Sequence, residues 1–149
     1  MSSLLYTTKG DGVSYEERGT WVYLVVSLGT WVVYAITLLR RSTGDLAAVD
    51  YRSALLWAVG VAIVVSIVGR IVVEIVARGD QKRDVRDREI NRVGEYVGGV
   101  VLGVAMVGPF GLVLAEARHF WIANAMYATF VLAAVVGSAV KLVAYRRGF

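Results

Sequence analysis

The sequence predicts an all-α integral membrane protein, with four transmembrane helices arranged as an antiparallel bundle. Three observations predict it. Four apolar runs of about 20 residues punctuate the chain, and an α-helix of that length crosses ~30 Å of hydrocarbon. A hydrophobic fraction of 57% and a mean hydropathy of +0.61 exceed what a soluble domain of 149 residues can bury. The runs are continuously apolar rather than alternating, which suits lipid-facing helices and not the strands of a transmembrane barrel.

Residues 1–13 are polar, contain Gly10 and Gly12, and read as a flexible cytoplasmic tail; residues 14–149 read as one transmembrane domain, with helices at about 14–40, 51–78, 84–115 and 119–146. Ser14-Tyr15-Glu16-Glu17 has the form of a capping box, the Ser14 hydroxyl accepting from the Glu17 N–H and Glu17 reaching back. The first apolar run, Trp21 to Leu39, stops at Arg40-Arg41, and a short loop turns around Gly44-Asp45. Lys9 is the one early cation, and Glu16 and Glu17 precede the run with no small-residue cleavage site after it. This is not the form of a secretory signal, so the first helix is expected to stay in the mature protein. The second run covers Arg52 to Ala77, the third Val93 to Leu114 and the fourth Phe120 to Ala144, with a connector from Ala115 to His119.

Charge placement predicts topology. Lys9, Arg18, Arg78, Lys82, Arg83, Arg86, Arg88, Arg92, Lys141, Arg146 and Arg147 lie at one side of the helices; Arg40, Arg41, Arg52 and Arg118 lie at the other. The positive-inside rule places the richer side, with both termini, in the cytoplasm of a cell (plasma) membrane. The net charge of +4 belongs to these flanks, so membrane lipid is the expected partner, with no direct nucleic acid. Trp21, Tyr23, Tyr51, Trp57, Tyr96, Phe120, Trp121 and Tyr145 sit near helix ends, where amphipathic rings favour the headgroup level, whereas Trp31 and Tyr34 are deeper and should pack between helices. The chain has no cysteine, which excludes disulfides, thiolate chemistry and Cys-bound metal centres; no cofactor is predicted.

Several features could carry packing or chemistry. Gly94-xxx-Gly98 and Gly99-xxx-Gly103 are small-xxx-small steps that let helix backbones approach, within the chain or in a homo-oligomer, or that open a cofactor groove; Ala58, Ala62 and Ser66, and Ala125, Thr129, Ala133 and Gly137, repeat the spacing. Pro109 should free the carbonyl of Ala105 and bend the third helix. Arg70 and Glu74 lie one turn apart at membrane depth, where an isolated charge costs at least ~2.5 kcal/mol, so they read as a structural pair or as an ion or ligand site. Glu116 and His119 have the Glu-x-x-His spacing of metal-binding bundles, but one histidine cannot complete a di-iron centre within one protomer, which leaves a single metal, a site completed by a second protomer, or simply an interfacial histidine. Residues 78–92 alternate cations and carboxylates, as a solvated extension of the third helix or a docking surface would. No nucleotide loop, nucleophile elbow or zinc-protease motif occurs.

The segments Ser14 to Trp21, Asp84-Val85-Arg86-Asp87-Arg88-Glu89-Ile90 and His119 to Asn124 resemble a group of short four-helix actinobacterial membrane proteins of unknown function. The Asp-x-Arg-Asp-x-x-Ile segment is also similar to the signature of a wider uncharacterised bacterial and archaeal membrane family, whose genes often lie beside small helix-turn-helix regulators. The resemblance implies a cytosolic regulator as partner, with Asp84, Arg86, Asp87, Arg88, Glu89 and Ile90 as the contact. Taken together, these features lead to the expectation of a non-enzymatic scaffold or regulatory partner. The alternatives are a small oligomeric transporter or channel using Arg70 and Glu74, and a binder of an apolar ligand (lipid, quinone or pigment) against Trp31, Trp57 and Tyr34.

Overall fold

A computed structural model of the protein describes residues 15–76 and 85–147, with backbone alone for residues 15, 16, 73, 74, 76, 85 and 86. Five α-helices and one 3-10 turn build these residues: α1 (Tyr15–Arg41), the turn Leu46–Ala48, α2 (Arg52–Val76), α3 (Val85–Ala105), α4 (Val107–Leu114) and α5 (His119–Arg147). α3 and α4 follow one another along one segment. The described residues therefore hold four segments long and apolar enough to cross a membrane: Glu17–Arg41, Arg52–Val72, Asp87–Leu114 and His119–Arg147. At 1.5 Å per residue the 27 residues of α1 span roughly 40 Å, the hydrocarbon and part of both headgroup layers. The all-α class follows the hydropathy pattern. Of the capping box, Ser14 lies outside the described residues, and α1 begins at the next position.

The third segment divides where proline chemistry requires it. Pro109 has no N–H, and its ring crowds the carbonyl four residues back, that of Ala105. α3 ends at Ala105, Met106 caps α4, and buried Pro109 falls in the first turn of α4, where a missing donor costs nothing. The ladder restarts as the Phe110 N–H donates to the Met106 carbonyl at 3.1 Å. The sequence leads one to expect a bend within one helix; the structure has two helices meeting at Met106.

α4 ends in a Schellman motif. The Ala117 N–H donates to the Leu112 carbonyl and the Glu116 N–H to that of Val113, both at 3.0 Å. Glu116 takes the left-handed position of this motif, at φ 52°, where glycine is the usual residue.

The helices pack as a row, α2 on α1, α1 on α5, α5 on α3, with no contact of similar extent between α2 and α3. Neighbours run antiparallel: Tyr34 of α1 meets Asn124 of α5, and on α3 Gly94 lies by Lys141 of α5 and Gly98 by Ala133. One end of the row carries the start of α1 and the close of α5 (the termini end). The other carries the turns after α1 and α4 (the turn end). Large apolar side chains face outward along the row, with Leu56, Trp57, Val104 and Leu114 each at least 70% exposed. In water such exposure forfeits roughly 1.5–3 kcal/mol per side chain, whereas in lipid it costs nothing.

Lipid removes the hydrophobic drive between helices, so contact rests on close packing and hydrogen bonds. Both are present. Tyr34, Leu38, Phe120, Tyr127 and Val131 form a buried cluster on which Tyr51, Leu55 and Ala58 pack. Tyr34 and Tyr127 meet edge to face at 5.5 Å, and Tyr51 and Phe120 at 5.1 Å. The Tyr34 hydroxyl donates to Asn124 Oδ1 at 2.8 Å, while Asn124 Nδ2 donates to the Phe120 carbonyl at 2.8 Å. A bond of this kind between helices in lipid is worth ~0.6–2 kcal/mol. Tyr34 is thus buried between helices as its depth suggests, whereas Trp31 is 36% exposed.

Backbones come closest between α3 and α5. A Cβ added to Gly137 would lie 3.0 Å from the Gly94 carbonyl oxygen and 3.5 Å from Gly98 Cα; one added to Gly98 would lie 3.3 Å from the Ala133 carbonyl oxygen. Gly99 and Gly103, by contrast, have open space where a Cβ would be. Of the two glycine steps, only the Gly94–Gly98 step faces a helix. Thr129, Ala133 and Gly137 form the buried stripe of α5, and α2 meets α1 at Gly69, against Val22.

At the turn end, Asp45 caps the 3-10 turn by accepting from the Ala47 N–H at 3.0 Å, and Arg118 Nη1 lies 3.2 Å from its other oxygen. The Ala47 N–H first, and the Arg118 guanidinium second, hold its carboxyl below the usual value.

Four outcomes follow, each read by unfolding in detergent. Gly137→Val is expected to cost about 1–3 kcal/mol through overpacking against the Gly94 carbonyl, while Gly103→Ala leaves stability unchanged or raises it by up to ~1 kcal/mol. Glu116→Gly is expected to gain up to ~1 kcal/mol, the left-handed penalty of ~1–2 kcal/mol outweighing glycine's extra chain entropy. Because the folded pKa of Asp45 is depressed, its contribution is full above the unfolded value near 3.8 and is lost as pH falls through the folded pKa; Asp45→Asn is expected to remove that acid-side decline.

Candidate functional site: a charged cleft between α2 and α3

The row arrangement leaves a cleft of about 730 Å³ where α2 and α3 make no extensive contact, floored by α1 and α5 at the termini end. α2 contributes Ser66, Gly69 and Arg70 to one wall. α3 contributes the other, from Asp87 to Leu102, roughly 22 Å of helix. Thr20, Val22 and Tyr23 of α1 and Phe130, Ala134, Ser138 and Lys141 of α5 form the floor.

The lining changes character along its length. Arg70, Asp87, Arg88, Asn91, Arg92, Glu95 and Lys141 gather at the termini end, while Gly98, Gly99, Leu102, Phe130 and Ala134 continue toward the membrane centre. Among the described lining residues four cations stand against two carboxylates, an excess of two positive charges. Among the described residues no carboxylate lies within 4.0 Å of Arg70, Arg88 or Arg92. Lys141 Nζ lies 3.7 Å from Glu95 Oε1, a long contact in which the lysine side chain is 14% exposed and the glutamate 66%.

Local sequence explains the placement of Lys141. Its methylenes run over the bare backbone of Gly94, where any side chain would collide with Cγ and Cε. The stem is buried by a glycine and the ammonium reaches the cleft, the usual compromise of a long cation at a membrane boundary. Arg146 stands 6.0 Å over the ring of Trp21 at the same end, an aromatic marker of the headgroup level.

The residues singled out from the sequence distribute as follows. Arg70 lines the cleft; the side chain of Glu74 lies outside the described residues. Gly94, Gly98 and Gly99 border the cleft, and Gly103 faces outward. Asp84 and the side chain of Arg86 lie outside the described residues. The segment after them is helical from Val85: Asp87 and Arg88 line the cleft, Glu89 is exposed, and Ile90, 1% exposed, is buried one turn before Gly94. Glu116 and His119 are exposed at the α4–α5 connection, and no group of three His, Cys, Asp or Glu that could hold a metal occurs among the described residues. Trp57, 75% exposed, is on the outside of α2. Trp31 and Tyr34 border a smaller apolar groove of about 390 Å³ with Trp121 and Leu112. Sequence reading missed Lys141 as a site residue, although a lysine late in an apolar helix, one turn after Gly137, is the signal that could have found it.

Comparison of the chain with family models, curated proteins and solved structures gives no match, so the chemistry of the cleft carries the functional reading.

Proposed function

We propose that the protein is a membrane-embedded binding protein that takes an amphiphile from the bilayer into the cleft between α2 and α3. One observation carries the reading: the cleft is charged at the end of the helices and apolar toward their middle. A molecule lying parallel to the helices would meet polar groups at headgroup level and a hydrocarbon-like wall below, which matches the order of groups in a lipid. The gap lies between two helices of the row, so an acyl chain could enter sideways without leaving the hydrocarbon. Small residues favour this: Gly98 and Gly99 keep the α3 wall low beside Leu102. The excess of Lys and Arg at the termini end supports a cytoplasmic placement of that end, and with it an inner-leaflet origin for the amphiphile. The proposed location is the cell membrane.

Native mass spectrometry of the gently purified protein is expected to show one lipid-sized adduct per chain. Gly99→Phe, which projects a ring into the cleft at a position with open space, is expected to remove the adduct while leaving the unfolding temperature close to that of the parent. No adduct on the parent protein, or an adduct undiminished in Gly99→Phe, would contradict the reading.

A further inference from the structure

The chemical class of the amphiphile can be read from the charged end of the cleft. We infer that the cleft selects a lipid with an anionic phosphate headgroup, held by Arg70 from α2, Arg88 and Arg92 from α3 and Lys141 from α5, with Glu95 as the internal anion it displaces. The inference rests on the binding role proposed above and adds the identity of the headgroup.

The cations come from three helices and converge on one cavity. Arg88 and Arg92 are one turn apart, so α3 presents two guanidinium groups to the same side, and Arg70 faces them across the gap from α2. Like charges brought together repel unless an anion lies among them. Asp87 and Glu95 supply two negative charges against four positive ones, and no carboxylate of a described residue lies within 4.0 Å of the three arginines. Guanidinium groups match phosphate oxygens in geometry, offering paired N–H donors, and a lysine adds a mobile point charge. A zwitterionic headgroup would bring its own ammonium into this excess, whereas a phosphodiester without one would lower it by one charge.

Glu95 sets the competition. Its carboxylate is largely exposed at the cleft mouth and reaches Lys141 only at 3.7 Å, while the lysine stem is fixed over Gly94. Lys141 cannot leave its groove without giving up that packing; Glu95 can swing away. An entering phosphate would therefore take the lysine from the glutamate rather than the reverse.

The test uses the full-length protein with defined lipids, read by native mass spectrometry and by lipid-dependent thermal shift. Phosphatidylglycerol is expected to bind at least about tenfold more tightly than phosphatidylcholine, and Arg88→Gln/Arg92→Gln is expected to weaken it by about thirtyfold, the effect of two cations near a membrane surface. Glu95→Gln, at an exposed position, is expected to tighten phosphatidylglycerol several-fold with no change for phosphatidylcholine; an unchanged affinity would overturn the competitor role. Equal binding of the two lipids by the parent protein would overturn the headgroup inference and leave the binding role standing. Absence of both lipids would overturn the binding role itself. Stabilisation by inorganic phosphate equal to that by phosphatidylglycerol would overturn the lipid as the source of the phosphate.

Discussion

The contact on which the rest of the structure depends is the approach of α3 and α5 at Gly94, Gly98 and Gly137. In lipid, apolar side chains gain nothing by leaving the hydrocarbon for one another, so a helix pair holds only where its surfaces fit closely. Here the fit is backbone against backbone, and it draws α3 to the far side of α5. α5 uses its other buried face, Phe120, Tyr127 and Val131, against α1. α2 is left with α1 as its neighbour, and the row stays open between α2 and α3. The cleft is thus a consequence of which helix owns the glycines.

The same glycine contact shapes the electrostatics. Gly94 leaves a channel along α3 in which the Lys141 stem lies, so a residue whose charge would be expensive inside α5 delivers it to the cleft mouth. α3 begins its helix at Val85, before the apolar run starts, and this early start aligns Asp87, Arg88, Asn91, Arg92 and Glu95 down the wall. Ile90 on the buried side of those turns fixes their rotation. The result is a cavity that is charged at the termini end and apolar toward the middle of the helices.

Much of the architecture was legible in the sequence because lipid imposes it: length and continuous hydropathy gave four crossing segments, and Arg40-Arg41 marked the end of the first. Pro109 announced a disturbance four residues back, and the helix breaks beside that position. What was not legible depends on helix order. Gly94 and Gly99 look equivalent on the page, yet they point about 140° apart at 100° per residue, so only one can face α5. The loop motif after Asp84 reads as charged and solvated, yet its isoleucine is the most buried large side chain described. Arg70 drew attention through Glu74, its neighbour in sequence; the cleft also gathers it with Arg88, Arg92 and Lys141, which lie on other helices. Periodicity within one helix cannot show such a gathering.

Helix order is also the claim most open to direct test, since the chain has no native cysteine to confuse cross-linking. A disulfide forms only between residues whose Cα atoms lie within about 7 Å. In native membranes, oxidation is expected to join Gly98→Cys with Gly137→Cys efficiently, while Ser66→Cys and Gly99→Cys, on opposite walls of the cleft, join only through a spacer reagent. Efficient direct bonding across the α2–α3 pair, with none across α3–α5, would contradict the account.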